Sequence, residues 1–446
     1  MTNARFSQMK NISTQDKNPQ KSTKKYSKES KDSSQKSTSG KIYPQHSPSG
    51  KSTPKTAVVL LNMGGPTDIA GVEPFLKNIF GDPLLLPIRN SLVRKMVGSI
   101  IVSKRLESVK ENYRKIGGCS PLIKHTFALT NALNALDSSK IYTYAMRYTP
   151  PFCQEVLSDL QARGVEDLVL FSLYPQFSTA TAYSSFLDAK RGLKALEYAP
   201  RVSVVEHFSD YVPFYEFIVD EIVATLQKNN AQKPSEFVLL LSAHGLPQSL
   251  IDKGDCYVEH CENGKRIISQ ILESRGVRFA NILLCYQSKV GPMRWIEPST
   301  SNTITANKDS KIIIYPLAFS IDNSETDYEL KIQYKELADS LKISDYLVCE
   351  CPNDKEGFAK IIIDLANDAL KKHATQQISP ATARKKSKFL QIKNLSKKNA
   401  SKTYKESNNK KSNAKSKSHK SKINKQNKQD KKATKSHKIK PTNKGK

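Results

Sequence analysis

One histidine and a short row of carboxylates stand where their types and spacing could do chemistry. His244 closes the run Phe237-Val-Leu-Leu-Leu-Ser-Ala-His244-Gly-Leu-Pro247, which is continuously apolar from Phe237 to Leu241. Such a run reads as a strand buried on both faces, ended by Gly245 and Pro247. His244 then sits at the carboxyl end of a parallel strand, the edge at which open α/β sheets bind their ligands. A second apolar strand, Lys311 to Leu317, leads into Phe319-Ser-Ile-Asp322-Asn-Ser-Glu325-Thr-Asp-Tyr-Glu329. If Asp322 opens a helix, the spacing brings Asp322, Glu325 and Glu329 to one face. Carboxylates in such a row repel unless a cation or solvent lies between them, although a capped and solvated helix start produces the same pattern. An imidazole opposed to the row suits proton removal near neutral pH and coordination of a borderline divalent metal such as ferrous iron.

Competing chemistries lack their residues. Ser242 lies outside any GxSxG elbow, and Gly64-Gly65 has neither the GxGxxG nor the P-loop pattern that holds nucleotide phosphates. The 7 cysteines, at 119, 153, 256, 261, 285, 349 and 351, are odd in number and scattered, which fits free thiols better than a disulfide framework. Cys256 and Cys261 with His260 between them, and Cys349 with Cys351, lack the spacing of a zinc ribbon. Neither a zinc nor an iron–sulfur site is expected from them.

The elements that must position these residues alternate between apolar strands and amphipathic helices. Strands are expected at Ala57 to Asn62, Ile141 to Met146, Leu168 to Leu173, Ser203 to His207, Phe237 to Ser242, Asn281 to Tyr286, Lys311 to Leu317 and Tyr346 to Cys349. Helices are expected at Pro151 to Arg163, Pro213 to Lys228, Gly264 to Arg275, Ser324 to Leu341 and Glu356 to His373. The order repeats: Val58 to Gly65 resembles Val238 to Gly245, and Leu168 to Ser178 resembles Ile312 to Asp322. The expected fold is therefore α/β, with two similar doubly wound domains, 56–207 and 208–374, each a parallel four-stranded sheet flanked by helices. The cleft between them is the expected site.

Charge separates this core from its ends. Residues 1–55 hold 12 Lys and Arg against 3 Asp and Glu, and residues 375–446 hold 24 against 2. The formal charge of +29 thus belongs to the tails, and the core is close to neutral. Both tails are polar and nearly free of large apolar residues, so they read as disordered. Their basic charge suits anionic surfaces, but the C-terminal tail interleaves only Phe389 and Tyr404, so base stacking and nucleic acid are not favoured. No apolar run approaches the roughly 20 residues of a spanning helix, and no signal-peptide stretch opens the chain. A cytoplasmic protein is expected.

Ordered motifs carry a resemblance. Leu60-Leu-Asn-Met-Gly-Gly-Pro66, Tyr113-Arg-Lys-Ile-Gly-Gly-Cys-Ser-Pro-Leu122, Ala145-Met-Arg-Tyr148, Leu173-Tyr-Pro-Gln-Phe-Ser178, Leu241-Ser-Ala-His-Gly-Leu-Pro247, Tyr286-Gln-Ser-Lys-Val-Gly-Pro292 and the Asp322 to Leu330 segment follow one another across residues 56–374. Together they resemble the bacterial ferrochelatases, class II chelatases that insert ferrous iron into porphyrin at the end of haem synthesis. The resemblance implies protoporphyrin IX and ferrous iron as substrates, with no tightly bound cofactor. It makes His244 and Glu325 the catalytic and metal-meeting pair, His244 accepting pyrrole protons while Glu325 binds iron or relays protons. Asp322 and Glu329 would continue a path for metal or protons. Met63 would approach the macrocycle from the face opposite His244, and the Leu84 to Arg89 stretch, Tyr113, Ser120, Tyr183 and Trp295 would line the ring. A cleft that bends the ring turns its nitrogen lone pairs toward an out-of-plane ion.

By the same resemblance the Phe75 to Ile88 segment, apolar but broken by Gly81, Pro83 and Pro87, would form a lip suited to a bilayer. Peripheral contact with the inner membrane at its cytoplasmic face is thereby left open. Two features depart from the family pattern. Asn323 stands where a second histidine usually follows the first Asp, and no cysteine follows Cys351, so no iron–sulfur cluster is expected. The alternatives are a coproporphyrin III ferrochelatase, a catalytically silent haem or porphyrin carrier on the same fold, and a nucleic-acid-associated protein acting through its Lys-rich tail.

Overall fold

The computed structural model describes residues 54–231, 233–289 and 293–378, with side chains as far as Lys372. The tails expected to be disordered lie outside the described residues except for their inner ends, as do residues 290–292 of the Tyr286 to Pro292 motif.

Among the described residues eight strands form where continuous apolar runs are expected: β1 Thr56–Asn62, β2 Ile141–Met146, β3 Asp167–Ser172, β4 Arg201–Val205, β5 Phe237–His244, β6 Asn281–Gln287, β7 Lys311–Pro316 and β8 Tyr346–Val348. They pair in parallel as two four-stranded sheets, ordered β2-β1-β3-β4 and β6-β5-β7-β8. The order is the same in both, so the internal repeat read from the motifs is also a repeat of topology. Central strands are covered on both faces, as parallel sheets require. Along β1, Val58 and Leu60 enter one core while Ala57, Val59 and Leu61 enter another. Along β5, Leu239 and Leu241 join Val58 and Leu60, and Val238 and Leu240 face a third cluster. One face of each sheet thus shares a single core, filled by Phe214, Ile218 and Ile222 of the Val212–Lys228 helix between them. The described residues up to Lys371 cluster as one compact unit.

Several expected boundaries move for identifiable reasons. β4 begins at Arg201 rather than Ser203 because Arg201 pairs with Asp167 in the β3 register and its guanidinium grips that carboxylate at 2.6 and 2.5 Å. The helix expected from Gly264 starts at Tyr257. Gly264 is no helix start: a Cβ there would lie 2.8 Å from the Tyr215 hydroxyl, so it stands where this helix packs closely on the helix carrying Tyr215. The Phe75 to Ile88 segment is only partly loop, since Val72–Gly81 is helical. The helices Ser91–Lys115, Pro121–Leu136 and Ala182–Ala195 were not foreseen, although Asn90 and the Ser120-Pro121 pair are recognisable helix starts.

The largest local difference follows β7. The expected Ser324 to Leu341 α-helix is a π-helix over Glu325–Gln333, continued as an α-helix over Tyr334–Ser340. Such i→i+5 turns are rare and are frequent at functional sites.

Candidate active site

His244 is the last residue of β5 and pairs across the sheet with Gln287, the last residue of β6. Gly245 follows, its N–H donating to the Gln287 carbonyl at 2.7 Å, and a Cβ at this position would stand 2.6 Å from that oxygen. Only glycine lets the two strand ends approach so closely, and their closeness aims the imidazole at the segment beyond β7. There Glu325 opens the π-helix. The Asn323 Oδ1 accepts the Glu325 N–H at 2.7 Å, and Thr326 accepts the Asn323 N–H at 3.0 Å, which together set the first turn.

The His244 Nδ1 and the Glu325 Oε2 are 2.7 Å apart, with side chains 33% and 20% exposed. The pair is therefore largely withdrawn from water yet not sealed off from it. Behind it, Ser288 adopts φ +67°, unusual outside glycine, and this conformation presents its hydroxyl to both carboxylates. The Ser288 Oγ lies 2.9 Å from Glu325 Oε2 and 2.6 Å from Glu329 Oε2. Gln287 donates to Glu329 at 3.3 Å and is itself held by the Ser242 hydroxyl at 2.8 Å.

The electrostatics follow from this packing. Burial disfavours the imidazolium, but the charge and hydrogen bond of Glu325, with Glu329 beyond, outweigh it and raise the proton affinity of His244. Burial likewise pushes the Glu325 carboxyl up, and His244 and Ser288 more than offset this, holding it below the ordinary range. For Glu329, burial and the neighbouring Glu325 charge act together and push the carboxyl up to about 7. Ser288 has one hydroxyl hydrogen for two carboxylates, so a proton on Glu329 completes the set of hydrogen bonds.

The other residues singled out from sequence fall into different surroundings. Asp322 precedes the helix instead of joining its face: it is 3% exposed, its Oδ2 accepts from Asn353 at 2.7 Å, and its Oδ1 has no partner among the described residues. The expectation that Asp322, Glu325 and Glu329 share a helical face therefore holds only for the two glutamates. Met63, just past β1, is partly buried between two core clusters. Burial, with the Glu325 charge among its neighbours, pushes the Tyr174 phenol well above its ordinary range. Trp295 packs over Gly245 and bridges to Pro247. Ser120 is buried and caps the Pro121–Leu136 helix, and Tyr183 packs against the core on the far face of the first sheet. Tyr113 is 3% exposed and donates to Ser324 at 3.2 Å. Leu85, in the loop after Val72–Gly81, packs against the same two clusters as Met63. Asn323, in place of the histidine expected at that position, is buried and spent on shaping the helix start.

Sequence reading missed Ser288, Gln287, Tyr174 and Ser324. All four lie inside or beside quoted motifs, but nothing in their types announces a role.

The cysteines are free thiols, and Cys256 and Cys261 are parted: Cys261 lies in the shared core while Cys256 packs against the outer cluster of the first sheet. Among the described residues no group of three or more His, Cys, Asp or Glu converges as a metal-holding set.

Two parallel four-stranded sheets of identical order, with a His–Glu pair at the strand ends of the second, define a chelatase-like α/β protein. A family model described as Ferrochelatase matches residues 55–370. The chain belongs to the ferrochelatase family. It is 51% identical over 313 residues to the ferrochelatase of Helicobacter pylori strain P12, covering 70% of this chain and 93% of that one. It is 51% identical over 309 residues to that of Helicobacter hepaticus (69% and 98%), and 47% over 311 residues to that of Wolinella succinogenes (70% and 98%). Among solved structures, a sirohydrochlorin chelatase from Bacillus subtilis subspecies spizizenii in complex with cobalt matches at 9% identity and a TM-score of 0.42, covering 72% of this chain and 98% of that one. That likeness is too distant to add to the argument.

Proposed function

We propose that this enzyme inserts ferrous iron into protoporphyrin IX to form protohaem, with His244 and Glu325 as the catalytic pair. The observation that carries the reading is the 2.7 Å His244–Glu325 contact, backed by Ser288 and Glu329, in a chain of ferrochelatase ancestry. Insertion replaces two pyrrole N–H protons by one divalent ion, so a site must accept protons while it admits a cation. With Nδ1 bonded to Glu325, the Nε2 of His244 is the base, and the carboxylate stabilises the imidazolium that forms. The proton then has a path from His244 to Glu325, across the Ser288 hydroxyl, to Glu329. A carboxyl that titrates at about 7 both takes and releases protons at working pH. Iron is the substrate: Glu325 would meet it while His244 takes the pyrrole protons, and the porphyrin nitrogens hold it as product. Met63 and Trp295 are the ring contacts this reading favours, a thioether and an indole suited to a flat apolar face.

Anaerobic insertion of ferrous iron, followed by porphyrin absorbance, tests the proposal. His244→Ala is expected to lower turnover by at least about a hundredfold, the scale of a lost general base; an unimpaired variant would overturn the mechanism. Parallel assays with coproporphyrin III separate the two substrates, and porphyrin binding without turnover by the wild type would identify a carrier.

We further propose a cytoplasmic enzyme that touches the membrane. Leu92, Met96 and Ile100 stand 75%, 59% and 51% exposed at four-residue spacing on the Ser91–Lys115 helix, with Lys95 and Lys104 beside them. An apolar stripe flanked by cations suits an anionic bilayer. Flotation with vesicles containing anionic lipid is expected to carry the wild type and to lose the Leu92→Glu, Met96→Glu double variant.

A further inference from the structure

We infer that the last turn of the Ser91–Lys115 helix clamps the π-helix that carries Glu325 and Glu329, and that Tyr113 and Ser324 are positioning residues for those carboxylates. The inference rests on the iron-insertion reading and adds to it how the site is held.

A π-helix is an unfavoured conformation, so its persistence calls for outside restraint. Restraint comes from both halves of the fold. From the second half, the Tyr346 hydroxyl on β8 donates to the Leu330 carbonyl inside the π-helix at 2.8 Å. From the first half, the Tyr113 hydroxyl donates to the Ser324 Oγ at 3.2 Å, joining residues 211 positions apart immediately before Glu325. Ser324 occupies the N-cap position of the π-helix, where a serine hydroxyl ordinarily serves the helix's own N–H groups. Here Asn323 performs that service for the Glu325 N–H, and the Ser324 side chain makes no cap bond. The hydroxyl is therefore spent on the crossing contact. Two residues on, the Lys115 ammonium stands 5.7 Å from the centroid of the Tyr328 ring, next to Glu329. The two contacts flank both carboxylates and come from one helix turn.

Burial makes the phenol a stable strap. Tyr113 is 3% exposed, and burial, relieved in part by Ser324 and reinforced by the Glu325 charge, pushes its ionisation up to about 12. It stays a neutral donor throughout the working range. Its exposure leaves little surface for porphyrin, so the clamp and the ring-lining role expected from sequence make different kinetic predictions.

A double-mutant cycle with Tyr113→Phe and Ser324→Ala in the full-length protein distinguishes them. Losing one hydrogen bond of ordinary worth is expected to lower kcat about three- to tenfold with KM for porphyrin within about twofold, and the double variant is expected to be no worse than either single. Lys115→Ala is expected to lower kcat less, by about two- to fivefold. A raised KM at unchanged kcat for Tyr113→Phe, or additive losses in the double variant, overturns the clamp. Amide exchange across residues 325–333 supplies a readout independent of turnover: both single variants are expected to speed it, and unchanged exchange also overturns the clamp. A wild type without iron insertion defeats the functional reading while leaving the exchange result to stand.

Discussion

At the scale of single residues, the site is a set of proton positions fixed by hydrogen-bond supply. His244 and Glu325 share a proton, and Ser288 can satisfy Glu325 and Glu329 together only if Glu329 carries one too. The folded Glu329 carboxyl titrates at about 7, against 4.5 for an unperturbed glutamate. A folded state that binds the extra proton is favoured below the lower value and loses that advantage as pH rises through the higher one. Wild-type stability is therefore expected to fall relative to Glu329→Gln between about pH 4.5 and 7, as denaturant melts across that range will register. The same substitution is expected to remove the limb near pH 7 from the insertion profile. Of these residues His244, Glu325 and Glu329 were legible in the sequence, because an imidazole after an apolar run and spaced carboxylates are visible as types. Ser288 was not: its role depends on a positive φ and on meeting side chains 37 and 41 residues away.

At the scale of elements, two glycines with similar spatial constraints are expected to differ in effect. Gly245→Ala drives a Cβ into the Gln287 carbonyl at the strand end that bears His244, so it is expected to cut turnover more than about tenfold, in addition to any loss of stability. Gly264→Ala crowds Tyr215, which is fully buried far along the shared core and donates to the Ser209 carbonyl at 3.0 Å. It is expected to cost about 1–3 kcal/mol of stability with kcat per folded molecule unchanged, measurable by thermal melting beside an active-fraction assay. The eight strands were readable because parallel strands buried on both faces are continuous apolar runs. The π-helix was not, because residues four apart lie near one another in an α-helix and a π-helix alike, so the Glu325–Glu329 spacing fits both. Asp322 stands before the helix and off the Glu325–Glu329 face, which spacing could not show because Asn353, remote in sequence, binds its carboxylate.

At the scale of the whole molecule, two sheets of one topology place equivalent strand ends together through a common core, and only the second carries the His–Glu pair. All the side chains proposed for the chemistry and its support lie between Met63 and Tyr346, inside the family match at 55–370. Deleting residues 379–446 is therefore expected to leave iron insertion within about twofold of wild type. Retention on RNA with and without that segment, measured with its salt slope, tests the nucleic-acid alternative, which unchanged retention excludes. The amino-acid sequence by itself determined the parallel α/β class, the internal repeat and the identity of the reactive types, since these depend on burial pattern and on chemistry that a residue carries anywhere. The tertiary structure alone decided which carboxylates meet His244, which serine joins them, and that Tyr113 reaches across to the turn holding Glu325. Those are distances between residues remote in sequence, and only the packing of both sheets on one core sets them.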